Sequence, residues 1–163
     1  KRRIELVFGG GKVGLMGVIA DAVMAHGGKV TGVIPQSLAD REIAHAGITK
    51  LHIVDSMHTR KAMMADLSDG FVAMPGGVGT FEEFFEVVTW TQLGLHRKPC
   101  GLLNVNNFYT PLAAFIDQAV SEGFIKPIHR AAIVIDSDPE RLLDTLATID
   151  LPAVPKWIRP DET

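Results

Sequence analysis

The sequence predicts an α/β fold, in which a single domain contains a parallel β-sheet with helices packed on both faces. Three observations lead to this prediction. Short apolar runs alternate with segments of helical periodicity along the chain. The runs are continuously apolar, which is typical of strands covered on both sides. A length of 163 residues, 47% of them hydrophobic, suits one domain with a sizeable core.

The first half of the chain contains three predicted strands and two predicted helices. Residues 4–8 are predicted to form a buried strand. Residues 15–26 carry apolar side chains at helical spacing, and the glycine pair that follows ends this helix. Residues 29–34 form a strand ended by a proline, and residues 51–54 form the third strand. Ser56 is expected to cap a helix that runs to about residue 67.

The second half repeats this order. The predicted strands cover 71–74, 101–105 and 133–136, and the predicted helices cover 81–95, 111–122 and 139–148. Asp138 is expected to cap the last helix. Three prolines follow, so residues 150–163 are predicted to form an irregular tail after a domain that spans residues 1–149. Ligands of such sheets bind beyond the carboxyl ends of the strands, so the chemistry is expected in the loops there.

Composition excludes several classes of function. A formal net charge of −3 lacks the basic field that nucleic-acid binding needs. The sequence has no run of 18 apolar residues, so no membrane span is expected. The one cysteine, Cys100, excludes an internal disulfide, fits a reducing cytoplasmic location and is expected to be buried. The histidines do not show metal-ligand spacing, so no metal site is predicted.

The first glycine loop, Gly9 to Gly14, follows a strand and opens a helix, and it matches the pattern G-x-G-x-x-G. A dinucleotide would also want an acidic residue at the end of the next strand, where this chain has Gln36. The alternative is that the glycines only allow close packing of strand and helix. The pattern therefore disfavours a dinucleotide-dependent oxidoreductase.

The second glycine loop, from Pro75 to Thr80, is expected to point successive N–H groups into one concavity that holds a phosphate. No lysine follows its last glycine, which excludes a Walker A loop. Glu82 and Glu83 come next and allow two interpretations. Thr80 and Glu83 fit a capping box, which is purely structural. Alternatively, the two acids serve a substrate that carries a phosphate and a developing positive charge.

Two cations, Arg60 and Lys61, are expected at the start of a helix, where the helix dipole disfavours positive charge. They either form a solvated surface or bind an anion at the carboxyl edge of the sheet.

Several motifs in order resemble one known family. The segment PGGVGTFEE at 75–83 fits PGGxGTxxE, and SMHTRK at 56–61 fits a companion M-H-x-R-K segment. With GGGKVGLMG at 9–17 and TWTQLG at 89–94, the chain resembles the LONELY GUY family over residues 4–146. Its members are cytokinin riboside 5′-monophosphate phosphoribohydrolases, often mislabelled lysine decarboxylases. Nothing in the sequence marks a Schiff-base lysine or a pyridoxal phosphate site.

The resemblance implies a Rossmann-like fold, a homodimer, and hydrolysis of an adenine-type nucleoside 5′-monophosphate to free base and ribose 5-phosphate. It implies no metal and no organic cofactor. It assigns Arg60 and Glu83 as the catalytic pair. The substrate contacts that it implies are Gly10, Gly11, Glu42, Met57, Lys61, Gly76, Gly77, Val78, Gly79, Thr80, Glu82 and Thr89.

The chain differs from the family at one point, and one alternative function stays open. Family members begin with an earlier strand and helix that these residues do not contain. A non-catalytic module that binds a nucleotide or a phosphorylated cofactor remains the alternative function.

The predicted helix at 81–95 is more apolar than one buried face needs, which fits either burial on two sides or a subunit interface; the residues concerned are Phe81, Phe84, Phe85, Val88 and Leu95.

Overall fold

The computed structural model describes residues 2–41 and 43–151. Within them the chain forms six strands: β1 Leu6–Phe8, β2 Val30–Pro35, β3 Lys50–Val54, β4 Phe71–Ala73, β5 Cys100–Leu103 and β6 Ile133–Asp136. It also forms seven α-helices: α1 Leu15–Ala25, α2 Gln36–Ala39, α3 Met57–Leu67, α4 Val78–Gln92, α5 Thr110–Ser121, α6 Pro127–Ala131 and α7 Pro139–Thr148. The described chain divides into two compact units, one through Ser68 and the other from Asp69.

The first unit contains a three-stranded parallel sheet in the order β1-β2-β3. Leu6 pairs with Val30 in one ladder, and Gly32 pairs with Leu51 in the other. Helices α1 and α3 pack against these strands. The core of this unit combines strand and helix residues, namely buried Phe8, Ala20 and Val30 with partly buried Leu6, Val23, Met24 and Ile48.

The second unit contains a three-stranded parallel sheet in the order β4-β5-β6. Phe71, Cys100 and Ile133 lie at one level of this sheet. Helices α4, α6 and α7 pack against its strands. The buried core of this unit consists of Ala73, Phe84, Cys100, Leu102, Tyr109, Ile116 and Ile133.

The predicted α/β fold, with parallel strands flanked by helices, is confirmed and is consistent with a Rossmann-like arrangement. The strands form two three-stranded sheets rather than one. The domain bounds 1–149 remain a prediction, and most of the predicted tail, residues 152–163, lies outside the described residues. No helix in the described part of the chain is long and apolar enough to cross a membrane.

The predicted helix ends are mostly confirmed. The Ser56 hydroxyl accepts the N–H of Thr59 across 3.1 Å, so it caps α3. The Asp138 carboxylate accepts the N–H of Arg141 across 2.8 Å at the start of α7. The predicted start of the helix at 81 is wrong, since α4 begins at Val78.

Cys100 is buried as predicted, with 2% of the residue exposed. Burial raises the pKa of its thiol to about 11. This cysteine therefore packs as a small apolar side chain in the core of the second unit.

Candidate active site

Arg60 is a buried cation near the start of α3, with 7% of the residue exposed. Its Nε–H donates to the backbone carbonyl of Val33 in β2 across 3.2 Å. Its guanidinium also lies directly against the Cα of Gly9: a Cβ built there would stand 2.9 Å from Cζ. A guanidinium stays charged at physiological pH. The first unit thus holds a fixed positive charge beside the loop that follows β1.

That loop is hydrogen-bonded to a closing segment from later in the sequence, residues 43–45. The Lys12 N–H donates to the Ile43 carbonyl, and the His45 N–H donates to the Gly10 carbonyl, each across 2.8 Å. Gly11 forms an antiparallel bridge with Ala44. The bond to Ile43 occupies the Lys12 N–H, one of the loop donors that a dinucleotide pyrophosphate would need.

Gly10 and Gly11 are both buried. Gly10 has a φ of 73°, which a side chain would strain. The loop geometry thus explains Gly10 without a ligand, and the assignment of both glycines as substrate contacts stays a prediction.

The side chain of His45 fixes the closing segment. Its Nδ1 accepts the N–H of Gly47 across 3.1 Å, so its Nε2 carries the proton and donates to the carboxylate of Asp21 across 3.0 Å. Only 9% of His45 is exposed. This role of His45 was not predictable from sequence patterns, because its bond to Asp21 joins residues that are distant along the chain.

The remaining site residues predicted in the first unit differ in their surroundings. Lys61 is half-buried, and Met57 is exposed at the first position of α3. Glu42 lies outside the described residues. Asp55 lies just before α3, and the hydroxyl of Thr59 in the first turn of the helix donates to its carboxylate across 2.5 Å, which lowers the pKa of that carboxyl.

The second glycine loop leads from β4 into α4. Gly77 is the N-cap of this 15-residue helix, and as a glycine it has no side chain with which to cap the helix. The side chain of Thr80 packs over Gly76, where a Cβ would stand 2.9 Å from the Thr80 Cβ. At Gly77 and Gly79 a Cβ would meet no described atom within 4 Å, so the backbone there faces open space.

The backbone of this loop differs from the predicted concavity. Its glycines, at 76, 77 and 79, do not adopt positive φ, so it contains no left-handed turn that would curl the N–H groups inward. The loop leads instead directly into the first turn of α4, from Val78 to Thr80. N–H groups of a first turn have no partner within the helix, and the helix dipole favours negative charge there.

The predicted capping box is wrong. Because α4 begins at Val78, Thr80 is its third residue, and Glu82 and Glu83 are its fifth and sixth. No acidic residue lies in the first turn. Glu82 is exposed, and Glu83 is half-buried. Helix capping therefore does not explain the two carboxylates.

Two further residues of the second unit bear on the loop and on α4. The Tyr109 hydroxyl donates to the carbonyl of Met74 across 2.6 Å, which ties down the start of the second glycine loop. Sequence reasoning missed this role of Tyr109. The hydroxyl of Thr89, a predicted substrate contact, donates to the carbonyl of Phe85 in its own helix across 2.7 Å.

In residues 2–41 and 43–151, no group of three or more histidine, cysteine, aspartate or glutamate side chains is arranged to hold a metal ion.

Comparison with known proteins gives a consistent result. A family model described as "Possible lysine decarboxylase" matches residues 16–146. The chain is 55% identical over 141 residues to a cytokinin riboside 5′-monophosphate phosphoribohydrolase of Rhodococcoides fascians, covering 86% of this chain and 71% of that protein.

Plant proteins are similar to nearly the same extent. A cytokinin riboside 5′-monophosphate phosphoribohydrolase of Arabidopsis thaliana is 53% identical over 146 residues, covering 90% of this chain and 67% of that protein. A probable enzyme of the same name from Oryza sativa subsp. japonica is 52% identical over 145 residues, covering 89% of this chain and 59% of that protein. The chain thus spans between 59% and 71% of the length of these relatives.

Proposed function

This chain belongs to the LONELY GUY family, and we propose that it hydrolyses the N-glycosidic bond of an adenine-type cytokinin nucleoside 5′-monophosphate to free base and ribose 5-phosphate. The names of the relatives support this activity rather than a decarboxylase. The observation that carries the proposal is the start of α4 at Val78. It places Glu82 and Glu83 in the second turn of α4, beyond the positions of a capping box, and shortly after a glycine loop that is open on one side.

The 5′-phosphate is bound at the N-terminus of α4. Gly77 and Gly79 leave the backbone accessible, and the first-turn N–H groups provide hydrogen-bond donors. The packing of Thr80 over Gly76 keeps the loop in one conformation. Binding energy from this remote phosphate helps to position the sugar for reaction.

Glu83 acts on the reacting carbon. Cleavage of the bond between C1′ and the base nitrogen leaves positive charge on C1′ and the ring oxygen, while the electron pair goes to the base. A carboxylate stabilises that charge and accepts a proton from the attacking water, whose oxygen forms the new bond to C1′. The departing base takes up one proton from solvent, and the carboxylate returns its proton to solvent, so the net reaction adds one water across the bond. Glu82 binds the ribose hydroxyls.

Arg60 supplies fixed positive charge. A guanidinium does not give up its proton in proteins, so Arg60 is not the acid that protonates the base. Its burial and its bond to the Val33 carbonyl hold the charge in one orientation before substrate arrives. Such preorganised charge stabilises an anionic phosphate or the departing base.

The test follows the products. The chain is incubated with AMP and with isopentenyladenosine monophosphate, and free base and ribose 5-phosphate are separated by chromatography. Arg60→Ala and Glu83→Ala are run alongside. We expect the wild type to release both products and each substitution to lower the rate by about 100-fold or more, to a residual rate that can still be measured. Nucleotide binding without release would favour the alternative, a non-catalytic binding module.

The proposed quaternary state is a homodimer in the cytoplasm. Phe81, Phe84 and Val88 pack into the core of the second unit, whereas Phe85 is 36% exposed and Leu95 is 63% exposed. The exposed apolar side chains of Phe85 on α4 and of Leu95 just after it are the residues through which we propose this interface. The single buried Cys100 suits a reducing compartment.

A further inference from the structure

The structure assigns a task to Gly9 that the glycine pattern alone does not indicate: we infer that Gly9 is a positioning residue, whose missing side chain lets Arg60 adopt its active orientation. The inference rests on the proposed function, in which Arg60 provides the fixed charge. Its basis is the contact between the Gly9 Cα and the Arg60 guanidinium.

The contact leaves no room for a methyl group. A Cβ on Gly9 would overlap Nη2 of Arg60 and would lie 2.9 Å from Cζ and 3.3 Å from Nε. Carbon atoms in protein interiors approach other heavy atoms at about 3.5–4.0 Å. The same Nε donates to the Val33 carbonyl. A side chain at position 9 therefore displaces the group that this hydrogen bond orients.

The backbone cannot retreat to make room. Phe8 before it pairs with Gly32 in the sheet, and the Gly10 carbonyl after it accepts the N–H of His45 across 2.8 Å. Gly10 is itself packed against the side chain of Ile34, 3.1 Å from where its own Cβ would be. Position 9 is thus fixed on both sides, and the arginine is the partner that must move.

The backbone conformation of Gly9 does not require glycine. Unlike Gly10 and Gly14, Gly9 does not have a positive φ. The predicted clash is with the far end of a long side chain and not with backbone. An alanine at position 9 should therefore fold while moving the Arg60 guanidinium, so the effects on stability and on catalysis can be separated.

The experiment is a double-mutant cycle of Gly9→Ala and Arg60→Ala, with Gly47→Ala as the matched control. A Cβ at Gly47 lies no closer than 3.4 Å to any other group, and its φ is not positive. We expect Gly9→Ala to lower kcat by about 100-fold, the scale of a 1 Å misplacement. It should melt within about 4 °C of the wild type. In the Arg60→Ala background the same change should cost less than about two-fold.

Each outcome decides the inference. Full activity of Gly9→Ala overturns it, and so do independent, additive losses from the two substitutions. If the wild-type chain releases no base, the proposed function is wrong. The melting temperatures of the variants in the cycle then test the positioning contact without reference to activity. A shift from Gly9→Ala that vanishes in the Arg60→Ala background supports the positioning contact, whereas equal shifts in both backgrounds overturn it.

Discussion

The phenol of Tyr109 donates a hydrogen bond to the backbone carbonyl of Met74 across 2.6 Å. Met74 precedes Pro75, the first residue of the second glycine loop, while Tyr109 is buried with 1% of the residue exposed. Burial raises the pKa of the Tyr109 hydroxyl, so it remains a donor at neutral pH. The start of the loop is therefore anchored in the core of the second unit.

Replacing Tyr109 with phenylalanine should loosen this anchor. The Met74 carbonyl loses its donor, so the free energy of unfolding should fall by about 1–3 kcal/mol. If the loop holds the phosphate, KM for the nucleotide should rise more than kcat falls. Urea unfolding and steady-state kinetics measure the two effects. Unchanged stability and unchanged KM would show that this hydrogen bond does not anchor the loop.

Glu83→Gln separates catalysis from phosphate binding. The amide keeps the shape of the side chain but cannot stabilise positive charge or accept a proton, so kcat should fall by about 100-fold or more. Inhibition by ribose 5-phosphate should change little, because the phosphate is proposed to bind at the N-terminus of α4. Glu122→Gln, at an exposed position after α5, is the control and should retain full activity. Equal losses in kcat and in phosphate affinity would contradict the proposed role.

The ion pair between Asp136 and Arg141 predicts that the folded protein loses stability in acid. Two hydrogen bonds of 2.7 and 2.6 Å from Arg141 lower the pKa of Asp136 from 3.8 to about 2. This pair stabilises the folded protein fully at pH values above the pKa that Asp136 has in the unfolded chain. The stabilisation is lost as the pH falls through the lower pKa that Asp136 has in the folded protein. Between pH 4 and pH 2, the melting temperature of the wild type should therefore fall more steeply than that of Asp136→Asn. Asp69→Asn, at an exposed position, should behave like the wild type, and parallel curves for all three proteins would refute the prediction.

The proposed dimer interface contains exposed apolar side chains. Replacing both Phe85 and Leu95 with serine should shift the sedimentation coefficient from dimer to monomer at micromolar concentration, with an unchanged circular dichroism spectrum. Phe115→Ser is the matched control, because Phe115 is 67% exposed on a different helix, α5. A wild-type chain that sediments as a monomer would count against the interface.

Cys100 should be unreactive in the folded protein. Its thiol is buried and its pKa is raised to about 11, so very little thiolate is present at pH 8. Iodoacetamide labelling, followed by mass spectrometry, should be slow in buffer and complete in denaturant. Labelling of the folded chain at the rate of a free thiol would mean that this part of the core opens readily.

The sequence predicted the strands well, because continuous apolar runs bounded by proline and glycine mark buried parallel strands clearly. It missed α2 and α6, since four or five residues are too few to show helical periodicity. It placed the start of α4 three residues late, because Gly77 and Gly79 are poor helix formers. The surroundings of Arg60 were not predictable, because contacts with Gly9 and Val33 join distant parts of the chain.

The antiparallel bridge between Gly11 and Ala44 links two backbone segments of the first unit that lie outside its parallel strands. It joins the loop before α1 to the segment before β3, so the chain between them forms a closed ring. Closing such a ring limits how far α1 and β2 can separate independently. Local opening of this region should therefore be cooperative, and native-state hydrogen exchange should find the Lys12 and His45 amides protected to the same degree.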